Sequence, residues 1–254
     1  MIELQIDGSV ATITLNRPPA NAFSPEGLVQ LRDTLVELNA NAAVRALVIT
    51  GNGPKFFSAG ADLNRFADGN KGNAIDMIRA FGNAFEALAD TRLVTIAAIN
   101  GYAMGGGLEC ALATDIRIAE EHAQMALPEA GVGLLPGGTG TQTLPWLVGE
   151  GWAKRMILTG ERVDAATALR IGLVEEVVPT GGALAKATEI AQRVSKQSPD
   201  SVLACKPLIH AARNGVPRKA ALAQERELFV DLFNGPNQRE GVNAFLEKRP
   251  ASWK

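Results

Sequence analysis

Asn100–Asp115 reads NGYAMGGGLECALATD, and its interpretation governs that of the whole chain. An apolar, β-like run, Val94–Ile99, feeds the triple glycine Gly105–Gly107, which opens a small-residue helix with one acid, Glu109, in its first turn. A helix start leaves backbone N–H groups unpaired and partly positive, so it can hold a carbonyl oxygen that turns negative during a reaction. Glycine there lets a ligand approach the main chain without a Cβ in the way. The same glycines would equally serve a tight helix–strand joint, so the neighbouring segments have to decide between the two.

Upstream of this stretch the chain alternates strand, turn and helix. Ile2–Ile6 and Val10–Leu15 alternate apolar and polar residues around Asp7-Gly8, which predicts an antiparallel hairpin. Ser24-Pro25-Glu26 is a helix start, followed by Leu28, Leu31, Leu35 and Leu38 at helical spacing. Ala46–Thr50 and Phe56–Asp62 read as strands, the second running into a sharp turn, and Ala74–Asp90 as a helix with Ile75, Ile78, Phe81, Phe85 and Leu88 on one side.

Downstream, Ile116–Ala119 and Met125–Leu127 read as short strands, Gly131–Gly140 as a glycine-rich loop, and Thr141–Leu147 as a helix. From Ala183 to Phe245 the pattern is helical throughout, broken at Ser198-Pro199, Gly215-Val216-Pro217 and Gly235-Pro236. The expected organisation is a mixed α/β core over residues 1–190 and a helical region over 191–254.

Composition narrows the function classes. The 254 residues are 46% hydrophobic and 20% charged, with a formal charge of -2, so no basic stripe points to nucleic acid or an anionic membrane surface. No apolar run reaches the ~18 residues of a membrane helix, and the first residues form no leader, which together read as a cytoplasmic protein. Cys110, Cys205, His122 and His210 show no metal-ligand spacing, and both cysteines are read as reduced packing residues. GxSxG is absent, Gly137–Thr141 lacks the lysine of a P-loop, and Gly105–Gly107 is not GxGxxG.

Chemistry concentrates in two glycine-rich turns and two acids. Ala59-Gly60-Ala61-Asp62 frees a backbone N–H, with Asp62 a cap for a following helix; together with Gly105–Gly107 it could form a two-donor oxyanion hole. Glu109, among Gly, Ala, Leu and Cys, would be desolvated and its pKa raised, as a general acid or base requires, unless it sits in a buried salt bridge. Glu129, after Pro128 and before the glycine loop, is either its partner across one water or a plain helix-start acid. Asp115, Glu120, Glu121 and Glu225-Arg226-Glu227 read as solvated or ion-paired.

In this order, FFSAGADL (56–63), NGYAMGGGLECALATD (100–115), ALPEAGVGLLPGGTGTQ (126–142) and AFLEKRPASW (244–253) resemble the enoyl-CoA hydratase/isomerase, or crotonase, superfamily over essentially the whole chain. The resemblance implies a spiral core of repeated ββα units with a helical C-terminal trimerisation region, and a homo-trimer or a hexamer made as a dimer of trimers. It implies an acyl-CoA substrate that brings coenzyme A with it, with no permanently bound cofactor. The thioester oxygen would lie between the N–H groups of Ala61 and Gly106, with Glu109 and Glu129 on the water and Gly137 helping to place it. Ala59, Ala61, Asp62, Arg17, Arg65 and Lys248 form the expected CoA-binding set, because two lysines common in such hydratases are replaced by Pro19 and Asn64. Thr143 and Trp146 replace the more usual arginines after the GTQ turn. Pocket candidates are Phe66, Met77, Ile78, Leu134 and Trp146, each of which could equally be a core residue. The resemblance implies a hydratase foremost, then an isomerase or other acyl-CoA lyase, with a non-catalytic scaffolding relative that contacts RNA as the reading from another class.

Overall fold

A computed structural model describes all residues from Met1 to Lys254. The opening hairpin forms as the Asp7-Gly8 turn dictates: β1 (Ile2–Asp7) and β2 (Val10–Leu15) pair antiparallel, Asp7 opposite Val10. Helix α1 (Pro25–Ala40) is capped by Ser24, whose side chain accepts from the Gly27 N–H, and buries Leu28, Leu31, Leu35 and Leu38. β3 (Ala46–Gly51) is buried along its whole length, and β4 (Phe56–Ser58) follows. Helix α2 (Lys71–Asp90) starts at Lys71 rather than Ala74, because Asn70 caps it through the N–H groups of Gly72 and Asn73. Its buried face is Met77, Phe81, Ala84, Phe85 and Leu88; Ile75 and Ile78, expected on that face, are turned out of it.

β5 (Val94–Ile99) leads to a strand too short for alternation to reveal, β6 (Tyr102–Met104), and then to α3 (Gly106–Leu112). β7 (Ile116–Glu120) and β8 (Gln124–Ala126) precede α4 (Gly140–Thr159), kinked where Gly149 takes φ 76°. β9 (Val163–Asp164), α5 (Ala165–Ile171), β10 (Glu176–Val178) and α6 (Ala183–Val194) complete this part.

Two sheets result, in the orders β1-β2-β3-β5-β7-β10 and β4-β6-β8-β9. Successive strands go to different sheets, β3 then β4, β5 then β6, β7 then β8, and after each pair a helix returns the chain. Each turn of the resulting ββα spiral adds one parallel strand to the larger sheet, so Ile49 lies beside Ala97 and Ala97 beside Arg117. Of the acids expected to be solvated or ion-paired, Glu120 is buried, lies 3.7 Å from His122 Nδ1 and accepts from the Ala183 N–H, while Asp115 accepts from the N–H and hydroxyl of Thr95.

Contacts divide the chain into two compact units, Met1–Gln192 and Arg193–Lys254. The second is helical, with α7 (Pro199–Ala211), α8 (Arg218–Asp231) and α9 (Pro236–Leu246). Within it the C-terminal residues fold back: Arg249 grips Glu240 through two bonds of 2.7 and 3.1 Å, and Trp253 donates to the Lys196 carbonyl. Cys205 is exposed on α7 rather than packed, whereas Cys110 is buried in α3. No helix is long and apolar enough to cross a membrane.

The joint between α3 and β4 depends on Gly107, where a Cβ would lie 2.2 Å from the Ser58 carbonyl oxygen. Gly107→Ala is expected to cost about 1–3 kcal/mol by overpacking, read as a lower urea midpoint at unchanged m-value; a wild-type midpoint would contradict this account.

Candidate active site

Two backbone donors come together through close approach of two turns. Phe23 bridges Ala61 in parallel fashion: its N–H donates to the Gly60 carbonyl at 2.7 Å, and the Asp62 N–H donates to its carbonyl at 2.9 Å. A parallel bridge of this kind uses the groups flanking Ala61, so the N–H of Ala61 points away from Phe23. Gly106 is the first residue of α3, where an N–H has no intrahelical acceptor. Gly60, at φ 86°, makes the approach possible, since a Cβ there would lie 2.9 Å from the Gly106 nitrogen and 2.6 Å from the Met104 oxygen.

Behind these turns stand three phenylalanines in mutual edge-to-face contact. Phe23, Phe81 and Phe85 have centroids 5.3–5.7 Å apart. A Cβ on Gly106 would meet the Phe81 ring at 2.7 Å, and one on Gly138 would meet the Phe85 ring at 2.8 Å. One aromatic cluster therefore backs both the donor pair and the loop that follows Glu129.

The two acids lie in the same cavity, about 810 Å³ in volume. Glu109 is only 3% exposed, and its partners are amides rather than a cation: Oε1 accepts from the N–H of Gly138 and of Gly140, both at 2.8 Å. Burial pushes its pKa up to about 7; the amides oppose that rise and the carboxylate of Glu129 adds to it. Glu129 opens a short 3-10 turn, Glu129–Val132, and its Oε2 is buried without a hydrogen-bond partner. Burial raises this carboxyl as well. Gly105, at φ 53°, faces it, since a Cβ there would sit 2.9 Å from Glu129 Oε1.

Ala59, Ala61, Gly106, Glu109, Glu129 and Gly137 all line this cavity. Ala59 spends its N–H on the Ala20 carbonyl. The expected CoA cations are placed otherwise: Arg17 pairs with Asp62 at 2.6 Å, and Arg65 with Glu26 at 2.9 Å, and none of the four lines the cavity. Arg17 holds the Asp62 carboxyl below its usual range, while Asp62 caps the 3-10 turn Leu63–Phe66. Lys248 belongs to the second unit, just beyond α9 at φ 55°. Phe66, Met77, Ile78 and Leu134 line the cavity; Trp146 does not, and is 59% exposed.

Two contributions escape the sequence reading, and a third residue, Ile78, is a pocket candidate whose effect on Gly137 the sequence does not show. Lys71 is the cavity's one cation, signalled only by its place at the start of α2. Gly138 and Gly140 act through their amides, which a sequence does not orient. Ile78 explains Gly137, where a Cβ would fall 2.1 Å from its Cδ1. No group of three or more His, Cys, Asp or Glu side chains is placed to hold a metal ion.

Comparison with known proteins shows the family. The family model for enoyl-CoA hydratase/isomerase matches residues 5–254. The chain belongs to that family. A short-chain-enoyl-CoA hydratase of Clostridium acetobutylicum is 38% identical over 250 residues, covering 97% of this chain and 94% of the relative. The solved structure of Pseudomonas aeruginosa DspI is 62% identical with a TM-score of 0.97, covering 100% of this chain and 96% of that one. An enoyl-CoA hydratase structure from Bacillus anthracis is 37% identical with a TM-score of 0.96, covering 100% and 98%. The α/β architecture is thus the crotonase fold of this family.

The buried Glu109 couples stability to pH. Its folded pKa of about 7 lies above the ordinary 4.5, so the folded protein keeps a proton that the unfolded chain releases between those values. Its contribution is therefore full below about pH 4.5 and is lost as pH rises through 7, a fall of roughly 3 kcal/mol. Glu109→Gln is expected to flatten that fall in urea unfolding measured across the same range. An equally steep loss in the variant would show that another group carries it.

Proposed function

We propose that the protein is an enoyl-CoA hydratase, adding water across the 2,3 double bond of a 2-enoyl-CoA thioester. One observation supports this reading: a single apolar cavity is lined both by Ala61 and Gly106, from two closely approaching turns, and by two carboxyls of raised pKa, Glu109 and Glu129. The thioester oxygen takes the N–H of Ala61 and of Gly106. As the water oxygen bonds to C3, a water proton passes to the glutamate pair and negative charge collects on the thioester oxygen as an enolate. Each donor to that oxygen contributes about 2.7–4 kcal/mol to the transition state. Collapse of the enolate takes a proton from the glutamate pair at C2, so water is added and the pair returns to its starting state. The Gly137 main chain helps to place the water.

Coenzyme A arrives as part of the substrate, in the cytoplasm, and no further cofactor takes part. Lys71 joins the proposed contacts to its phosphates, and Lys248 is proposed to reach them from a neighbouring subunit. Arg17 and Arg65 are weaker candidates, since Asp62 and Glu26 already neutralise them. The helical unit exposes Phe229, Val230, Phe233, Phe245 and Leu246, which supports self-association into a trimer or a dimer of trimers.

Glu109→Gln and Glu129→Gln are each expected to lower kcat for hydration of a short 2-enoyl-CoA by about 100-fold or more. Full activity in both variants overturns the assignment. Turnover of a 3-enoyl-CoA exceeding hydration would move it to an isomerase, and salt-sensitive RNA binding without enoyl-CoA turnover to a scaffold.

A further inference from the structure

Three residues other than glycine hold φ in the left-handed range, Asn21 (53°), Thr139 (89°) and Lys248 (55°), and of these Thr139 alone is β-branched. A β-branched residue there is an outlier, and such strain persists only where its surroundings over-determine it. The surroundings of Thr139 are specific. The residues on either side, Gly138 and Gly140, both donate their N–H to one oxygen, Glu109 Oε1, at 2.8 Å. Main-chain N–H groups converge on a single anion when a left-handed residue bends the chain between them. The Thr139 carbonyl meanwhile accepts from the N–H of Gln142 and Thr143, both at 2.9 Å, and the Thr143 hydroxyl lies 3.4 Å from its own. Helix α4 thus locks the bend from behind.

We propose that Thr139 is a positioning residue for Glu109: its left-handed backbone aims two amides at Oε1, fixes the plane of the carboxyl, and leaves Oε2 as the oxygen offered to water and substrate. The proposal rests on the hydratase reading of the site. The clamp has few competitors. Glu129 is the one carboxylate acting on Glu109 across the cavity, and Lys71 is the one cation lining the same space. Cys110, next in α3, has its thiol pushed up to about 12 by burial and stays neutral. Phe85 and Leu127, beside Gly138 and Gly140, are apolar. The two amides are therefore what keeps Glu109 ionisable near neutrality against its burial.

Two substitutions test this. Thr139→Pro fixes φ near −65° and forbids the bend, while the N–H it removes is not one of the two donors. It is expected to lower kcat ~10-fold or more with KM held within about twofold. The Glu109 carboxyl, followed by infrared difference against Glu109→Gln, should titrate at higher pH than in the wild type. Thr139→Gly keeps the bend without the strain, and should leave that titration in place while raising the melting temperature by about 2 °C or more. A wild-type kcat and titration in Thr139→Pro would overturn the proposal, as would a shifted titration or an unraised melting temperature in Thr139→Gly. The glycine variant decides alone if the proline variant does not fold. The infrared titration requires no turnover, so a wild-type protein that hydrates no enoyl-CoA would count against the hydratase reading while the clamp is still judged by its spectrum.

Discussion

The contact on which the site depends is the one between Gly60 and Gly106, with 3.6 Å from the Cα of Gly60 to the position a Cβ on Gly106 would take. A Cβ on Gly60 would lie 2.6 Å from the Met104 oxygen and 2.9 Å from the Gly106 nitrogen, and one on Gly106 would lie 2.7 Å from the Phe81 ring, so neither position tolerates a side chain. What fixes the distance lies outside the turns. Phe23 holds the first turn by main-chain hydrogen bonds, and its ring packs on Phe81, which presses on Gly106. A purely apolar cluster thereby sets a polar geometry. In the proposed reaction nothing would have to reorganise as charge develops on the thioester oxygen, which makes fixed amides more effective there than water.

Against this rigid donor pair stands an electrostatic balance. An apolar cavity with two carboxyls and one lysine is a poor solvent for charge, and burial drives both acids towards their neutral forms. The structure answers asymmetrically. Glu109 receives two amides and is held near neutrality, whereas one oxygen of Glu129 is left buried without a partner. A buried acceptor left unpaired costs folding free energy, and a water or a ligand in the cavity relieves that cost.

Much of this was legible in the residues, for identifiable reasons. Punctuation carried well: Asp7-Gly8 gave the hairpin, Ser24-Pro25 the first helix, and the Pro and Gly breaks after residue 196 the helical region. The acids and glycines of the site were visible because Glu109 and Glu129 stand among small or apolar neighbours. Groups that act through geometry were hidden. Three-residue strands such as Tyr102–Met104 are shorter than any period, Ile75 and Ile78 satisfy helical spacing yet face a cavity, and an amide such as that of Gly138 looks the same in any sequence. Charge alone did not show the pairing of Arg17 and Arg65, since each meets a carboxylate from a distant segment.

The alternation of strands between the two sheets bears on how the site comes into being. Ala61 follows β4, Gly106 and Glu109 follow β6, and Glu129 with its loop follows β8, so each successive turn of the spiral delivers one component. Along the chain, the first turn supplies Ala61 without its partner, and the second supplies Gly106 and Glu109 before the amides that Glu109 accepts from. Only when residues 138–140 have been added does the carboxylate acquire its amides. The complete set of groups lining the cavity is therefore the last feature of this core to be assembled along the chain.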